Sequence, residues 1–344
     1  MITLKEIAEK CSVSITTVSN ILNGKSNVSE STKERVLKVI KETGYRPNYM
    51  ARGLRASKTN SVGIIIDDLT EFSSPQIIDG IMSYFDEHGY KAILENLRFY
   101  SQWGTKWYHN KGYETAVQQA IDEFSTIKVD GIIYVAGHAR NITCIPENLE
   151  LPLVISYAFT DSADISTVEF DDVDAAYNLT KHLIANGHKK ISVIAGTEKN
   201  IHTMRRLEGF KKALAESNID FSAKNLKYAE WDSKSGYEAA KELLKDSGCT
   251  AVFCFNDLMA TGVYNYLDEK GLVPGKDVSV AGFDNRTISQ YLKPSLTTVD
   301  IPLFEIGRKS AELILHQINS PESYERQQCF VKCKIMERES VKAK

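Results

Sequence analysis

Nowhere in the chain does an apolar run approach the roughly 18 residues that a membrane-crossing helix needs. The opening segment MITLKEIAEK is polar and helix-like, where an export leader would set basic residues before an apolar stretch. These two absences lead to the expectation of a cytoplasmic protein with no membrane partner. The six cysteines, Cys11, Cys144, Cys249, Cys254, Cys329 and Cys333, contain no C-x-x-C pair. Reduced thiols in ordinary packing positions are therefore expected, rather than a disulfide frame. Cys329 and Cys333 are spaced closely enough to suggest metal ligands, but no second pair or nearby His supports that, and no metal is expected. Catalytic signatures are missing too: there is no GxSxG, no GxxxxGKS/T, no GxGxxG after a strand and no HExxH. The expectation is a protein that is not an enzyme and carries no cofactor.

What is present is enough for a large core. With 344 residues, 42% of them hydrophobic and 25% charged, the chain has the make-up of a soluble protein of two or three domains. Its net charge of −3 conceals an asymmetry. Residues 1–58 hold 11 Lys and Arg against 5 Asp and Glu, a balance of +6, so the remainder carries −9. A short basic module on an acidic body points to a polyanion as the module's partner.

In that module, Thr3 followed by Glu6 has the spacing of a capping box, opening a helix whose Leu4, Ile7, Ala8 and Cys11 share a face. Ser14 is placed to cap a second helix that turns Val18, Ile21 and Leu22 inward and ends at Asn23-Gly24. Ser29 caps a third, through Val36, Val39 and Ile40 to Gly44. Three short helices with a tight turn between the first two read as a helix-turn-helix, whose second helix enters the major groove. Its outward residues, Ile15, Thr16 and Asn20, suit that task. Thr and Asn can hydrogen-bond base edges, and an apolar side chain can meet a thymine methyl. A segment follows, GYRPNYMARGLRASKTN, with Arg46, Arg52, Arg55 and Lys58 around Leu54. A helix this short is marginal in water, and it makes sense as one that orders on a partner. Arginines would lie on phosphates while the leucine enters the minor groove.

The segments LKEIAEKCSVSITTVSNILNG and VSESTKERVLKVIKETGYRPNYMARGLR resemble, in order and spacing, the head and hinge of the lactose-repressor/galactose-repressor (LacI–GalR) family. The resemblance continues to RES, Arg338 to Ser340, and covers nearly the whole chain. It implies an all-α helix-turn-helix head at 1–46, a hinge helix and linker at 47–60, and a two-lobed α/β periplasmic-binding-protein-like body. It also places Ile15, Thr16 and Asn20 at the main base-reading positions and makes Leu54 a wedge at the operator centre. The further DNA contacts expected are Thr3, Ser14, Thr17, Ser19, Asn23, Ser29, Tyr45, Asn48, Ala51, Arg52 and Arg55. Ser12 stands where members usually have a turn glycine, which predicts slight strain there.

From Ser61 onward, apolar strands alternate with amphipathic helices. VGIIID, KAILEN, DGIIYVA and LPLVISY form one series of strands. STVEFD, KISVIAG, NLKYAE, AVFCFN and DVSVAGFD form a second. Near-continuous Val and Ile runs separated by helices mean parallel sheets covered on both faces. Two series suggest two lobes with a ligand cleft at the strand carboxyl ends. The resemblance implies crossings near Tyr157 and Tyr291, with LFEIGRKSAELILHQI returning to the first lobe. The expected division is 61–158 with about 291–319 for one lobe, and 159–290 with about 320–340 for the other.

Four strand-to-helix connections of the second lobe carry Arg206, Trp231, Asn256 with Asp257, and Asp284 with Asn285. Singly, Asp257 and Asp284 are as well read as helix caps. As a set, the residues suit a polyhydroxylated ligand: carboxylate and amide bond adjacent hydroxyls while an indole covers the apolar face of a sugar ring. By resemblance Arg206, Trp231, Asn256 and Asp284 match effector-binding positions of sugar-responsive members, whereas Tyr157 replaces a usual aspartate. Phe72 and Ser73 are expected to face the cleft from the first lobe. His202 lies near it, more simply a structural histidine than a ligand donor. The aromatic stretch NLRFYSQWGTKWYHNKGY is read as a surface cap, or else Trp103 adds a second stacking surface.

These readings predict a sugar-responsive transcriptional regulator, by default a repressor, of carbohydrate-utilisation genes. It would bind a pseudo-palindromic double-stranded operator as a homodimer and be released by a sugar effector, with a galactoside the first candidate. The absence of a leucine-rich heptad after Lys342 favours a dimer over a tetramer. The same type of regulator responding to a non-sugar ligand or a partner protein is the alternative. A sugar-transport component or sugar-processing enzyme fits less well.

Overall fold

A computed structural model of the chain describes residues 2–22, 28–45, 58–109, 112–245 and 248–344, and it divides into two compact units, 1–59 and 60–344. Asn23, Asn48, Ala51, Arg52, Leu54 and Arg55 lie outside the described residues.

The first unit is helical: α1 (Leu4–Lys10), α2 (Ile15–Leu22) and α3 (Glu30–Thr43). The capping box forms as the spacing predicts, with Thr3 N donating to Glu6 Oε2 at 2.7 Å and Glu6 N to Thr3 Oγ1 at 3.3 Å. Ser14 Oγ accepts from Thr17 N at 3.0 Å, which opens α2. Ser29 departs from expectation. It sits at the N-cap of α3, but its hydroxyl bonds the Thr32 and Ser31 hydroxyls instead of a backbone amide. Gly44 ends α3 in the left-handed conformation, as glycine there allows. Ile7, Ala8, Cys11, Val18, Ile21 and Val36 form the core, with Tyr45 packed against it.

The body holds two six-stranded sheets. The first runs in the order β11-β5-β4-β3-β1-β2, from β1 (Ser61–Ile66), β2 (Lys91–Asn96), β3 (Gly131–Val135), β4 (Leu153–Ser156), β5 (Ser166–Phe170) and β11 (Gln328–Val331). All its pairings are parallel. The second runs β12-β10-β9-β8-β6-β7, from β6 (Ile191–Ala195), β7 (Leu226–Tyr228), β8 (Ala251–Cys254), β9 (Ser279–Asp284), β10 (Thr297–Asp300) and β12 (Lys334–Met336). Here only β12 is antiparallel, to β10. The buried Val and Ile runs that sequence periodicity marks as strands are these central strands.

The covering helices are α4 (Ser74–His88), α5 (Phe99–Trp103), α6 (Gly112–Ile127), α7 (Asp172–Ala185), α8 (Ile201–Glu216), α9 (Ser233–Leu244), α10 (Asp257–Glu269), α11 (Ile288–Tyr291) and α12 (Leu303–Asn319). As expected, α12 returns to the first lobe. It meets α4 so closely that a Cβ on Gly80 would lie 2.0 Å from Phe304 O, and one on Gly307 2.0 Å from Ile77 O.

The lobe boundaries differ from the sequence reading. STVEFD joins the first sheet as β5, so the first crossing follows Phe170 and not Tyr157. β10 stays in the second sheet, which moves the crossing expected near Tyr291 to the segment before α12. β11 completes the first sheet beside β5, so 320–340 is shared between the lobes. Strand order depends on pairing between distant segments, and periodicity does not carry it. No described helix is long and apolar enough to cross a membrane.

Candidate functional site

On the head, α2 turns Val18 and Ile21 into the core. Its first turn is therefore presented outward: Ser14, Ile15 and Thr16 are exposed, Ile15 at 39%, while Thr17, Ser19 and Asn20 are half-buried beside them. Ser14 and Thr3 are held by their capping bonds, and Tyr45 by the core. The tight turn before α2 passes through Ser12 at φ 51°, a left-handed position where the resemblance expects glycine. An apolar and hydroxyl-bearing helix N-terminus on a basic module has the chemistry for base edges and phosphates.

In the body, a cavity of about 420 Å³ opens between the lobes, within the range of roughly 300–1,000 Å³ usual for small-molecule sites. Phe72, Tyr157, Arg206, Trp231, Asn256 and Asp284 all line it, as the sequence predicts. Ser73 and Trp103 do not. Ser73 is fully buried at the start of α4. Trp103 stacks on Phe99 with ring centres 5.3 Å apart and belongs to the first lobe's core. The aromatic stretch is thus neither a plain surface cap nor a Trp103 platform: Phe99 and Trp107 are buried, while Tyr100 and Tyr108 reach the cavity. Sequence reasoning also missed Glu71, Gly137, His138, Thr197, Asn200, Glu230, Leu258 and Arg286, and it favoured a structural role for His202.

Arg206 organises the second-lobe wall. It is only 3% exposed, its Nε donates to Asp172 Oδ1 at 2.7 Å, and Nη1 donates to Phe255 O and faces Asp284 Oδ1 at 3.8 Å. Its guanidinium lies 3.7 Å over the Phe283 ring. Burial opposes the charge, but Asp172 and Asp284 outweigh it and hold the Arg206 pKa above its ordinary value. Asp284 shows the reverse balance: burial pushes its carboxyl up against the pull of Arg206 and Arg286. Arg286 Nε donates to Asp284 Oδ2 at 3.2 Å, and the guanidinium sits 4.1 Å over Phe72 of the first lobe.

His202 lines the cavity as the structural histidine of the simpler reading, with both ring nitrogens already bonded. Ala139 N donates to its Nε2 at 3.2 Å, which leaves Nδ1 as the donor to Asp172 Oδ2 at 2.8 Å. Asn256 is likewise engaged: its Oδ1 accepts from Met259 N at 2.8 Å as the cap of α10, and its Nδ2 donates to Trp231 O at 2.9 Å. Asp257, read as a possible cap, instead accepts from Arg286 N at 2.7 Å and the Thr298 hydroxyl at 2.6 Å. Trp231 packs directly against Gly196, where a Cβ would fall 1.8 Å from the indole. Glu71 lines the first-lobe side, its carboxyl pushed up to about 7 by burial despite Arg286.

Backbone geometry marks the same place. Tyr157, Trp231 and Asp284 adopt φ of 67°, 65° and 106°, all in the region that side chains disfavour. Such strain, at three walls of one cavity, is characteristic of binding sites.

Comparison with known proteins agrees with both units. Residues 3–48 match the model described as bacterial regulatory proteins, lacI family, and residues 180–341 match the periplasmic binding protein-like domain. The chain is 32% identical to catabolite control protein A of Priestia megaterium over 325 residues, covering 92% of this chain and 93% of that protein. It is 30% identical to the HTH-type transcriptional repressor PurR of Vibrio atlanticus (strain LGP32) over 345 residues, 99% of each. Among solved structures, the complex of the transcriptional regulator CelR with cellobiose is similar at a TM-score of 0.68 and 26% identity, covering 99% of this chain and 100% of that one. A basic helix-turn-helix head and a two-sheet body in one chain, nearly a third identical to a relative along nine-tenths of its length, make this chain a member of the lacI family of bacterial regulatory proteins.

Proposed function

We propose that this regulator represses carbohydrate genes by holding a pseudo-palindromic operator as a homodimer, and that an uncharged sugar in the cleft releases it. As a member of its family the chain is a DNA-binding transcriptional regulator and not an enzyme. The observation that carries the sugar reading is the cleft wall in which the Trp231 indole, packed against Gly196, stands beside the Asp284 carboxylate and the Arg206 guanidinium. An indole face covers the apolar side of a pyranose ring, and carboxylates accept its hydroxyls. Both lining guanidiniums already face the Asp284 carboxyl, and Glu71 and Glu230 add further acidic groups, a poor setting for a phosphorylated ligand. The cellobiose held by the related CelR regulator supports the same reading. A homodimer fits the head, since one α2 reads few base pairs and two half-sites give the discrimination a genome demands.

The test is calorimetric titration of the purified protein with a panel of mono- and oligosaccharides, a galactoside among them, repeated with Trp231→Ala and Asp284→Ala. One sugar whose binding both changes abolish, and which lowers operator affinity, is the expected result. Tighter operator binding in the presence of that sugar would reverse the sign. Absence of binding across the panel would turn attention to a non-sugar ligand or a partner protein.

A further inference from the structure

The turn between β1 and α4 carries three carboxyls, and the protein satisfies only two of them. Asp67 accepts from Gly137 N at 2.8 Å and from Arg140 Nη1 and Nη2 at 2.7 and 3.0 Å. Asp68 accepts from Thr70 N at 3.0 Å, from the Thr70 hydroxyl at 2.7 Å and from Tyr100 N at 3.1 Å. Glu71 lines the cavity half-buried, and among the described residues no donor reaches its carboxyl. Across the cleft, Arg206, His202 and Asn256 are already bonded within the protein. A half-buried carboxyl without donors is an acceptor open to whatever enters the cavity.

Its position is fixed by the fold. Glu71 N donates to Asp68 O at 3.4 Å, and Ser74 N donates to Glu71 O at 3.2 Å, so the turn is closed on both sides. The side chain packs over Gly137, where a Cβ would lie 3.4 Å from its Cγ. Burial, the largest influence, raises Glu71 to about 7 against the pull of Arg286, and Asp68 and Asp67 add to the rise. Arg286 is itself engaged by Asp284 at 3.2 Å. Tyr100 faces Glu71 from α5, and burial, reinforced by Glu71, pushes its hydroxyl up, so it stays protonated. His138, its Nδ1 3.1 Å from Tyr100 OH, is driven down to about 3 by burial and by Arg140, so it stays neutral. Asp284 and Glu230 stand on the opposite wall.

We infer that Glu71 is the first-lobe acceptor for the effector's hydroxyls, and that its carboxyl gives up a proton to solvent when the sugar binds. The inference rests on the proposed sugar reading and goes beyond it, because it makes the response to sugar depend on pH. Hydroxyls that donate to a carboxylate form charge-assisted bonds, stronger than those they form with the neutral acid, and so favour the ionised form. Without sugar that form lacks donors, and at pH 7 about half of the molecules carry the proton. A ligand that prefers the ionised form drives the proton off, and it binds more weakly as pH falls below 7.

The test is calorimetric titration of the full chain with the panel of mono- and oligosaccharides, a methyl galactoside and cellobiose among them, at pH 6, 7 and 8 in buffers of different ionisation heat. For the sugar that binds, release of about 0.4–0.5 proton at pH 7 is expected, with affinity roughly three- to tenfold lower at pH 6 than at pH 8. Glu71→Gln keeps the shape but cannot titrate, so it should release no proton and change affinity less than about twofold over that range. Proton uptake by the wild type, or no exchange, overturns the inference whatever the variant does. Release that persists in Glu71→Gln overturns it as well and points to Asp257, whose carboxyl is pushed up to about 8. In each of these cases the sugar reading stands. No sugar binding at all defeats that reading, and this inference with it.

Discussion

Ala139 of the first lobe donates its backbone N–H to Nε2 of His202, on the second, at 3.2 Å. The other ring nitrogen bonds Asp172, which also holds Arg206, so a lobe-to-lobe contact and the ligand wall share one buried network. A ligand that binds the two lobe arrangements unequally shifts the balance between them, which is the physical requirement for coupling cleft to head. Replacing His202 with Leu leaves the Ala139 amide and one Asp172 oxygen without their partner. Losing a hydrogen bond to a buried carboxylate costs on the order of 1–3 kcal/mol. We expect a lower melting temperature together with weaker sugar binding in calorimetry. Unchanged values of both would mean the network does not link lobes and ligand.

Gly196 gives a second prediction. Its missing side chain is what lets the Trp231 indole lie against the backbone, with a Cβ there only 1.8 Å from the ring. Gly196→Ala displaces the ring and should cut sugar affinity 10-fold or more, about 1.4 kcal/mol. Tryptophan fluorescence reports the displacement directly. A variant that binds sugar like the wild type would remove Trp231 from the stacking role.

Much of this cleft was readable beforehand, and what was missed has identifiable causes. Trp231, Asn256 and Asp284 lie at or just past strand carboxyl ends and Arg206 on the helix after one, and parallel sheets gather those ends at one edge. Trp103 was misplaced although a signal existed: Phe99 and Trp103 are four apart and share a helix face, so a buried Phe99 carries Trp103 inward and leaves Tyr100 for the cavity. Arg286 stands two residues after Asp284, and its reach to Phe72 comes only from packing between lobes. The positive φ of Tyr157 and Trp231 has no sequence signature, because neither residue type favours it. The membership of β11 in the first sheet was equally hidden, since its partner β5 lies more than 150 residues away, and alternation of strands and helices does not say that β5 pairs with β4 instead of opening the second sheet.

Asp257 predicts an unusual pH dependence. Fully buried, it is pushed up to about 8 from 3.8 by burial and by the nearby Asp284, against the bonds from Thr298 and Arg286. Between about pH 4 and 8 the folded protein retains a proton that the unfolded chain releases. Stability from this group is therefore fully present below pH 4 and declines as pH rises toward 8, by about 1.4 kcal/mol per unit at most. Asp257→Asn stays neutral throughout. Thermal melts at pH 5 and pH 8 should differ less in the variant than in the wild type, and equal differences would exclude Asp257 as the source.

The head offers a stabilising change. Ser12 pays for a left-handed turn, φ 51°, that glycine adopts freely. Part of the gain is lost to the greater freedom of glycine in the unfolded chain, so Ser12→Gly should stabilise the head by roughly 0.5–1 kcal/mol. Hydrogen exchange of α1 and α2 amides in the full-length protein measures this, with slower exchange expected. Faster exchange would show that the serine makes a contact worth more than the strain.

Base preference gives the last prediction. Asn20 sits on the half-buried flank of α2, one turn beyond the exposed Thr16, and an Asn amide pairs in bidentate fashion with adenine in the major groove. Ile15, exposed at 39%, is suited to a thymine methyl. None of these three residues carries the guanidinium or ammonium that reads guanine most strongly. Selection of operator half-sites from randomised duplexes should therefore return at least one A·T pair that depends on Asn20, with Asn20→Ala losing roughly 1–3 kcal/mol of discrimination at that pair alone. Loss of affinity spread evenly over all sequences would instead assign Asn20 to the phosphate backbone, because a phosphate contact orients the head without choosing between bases.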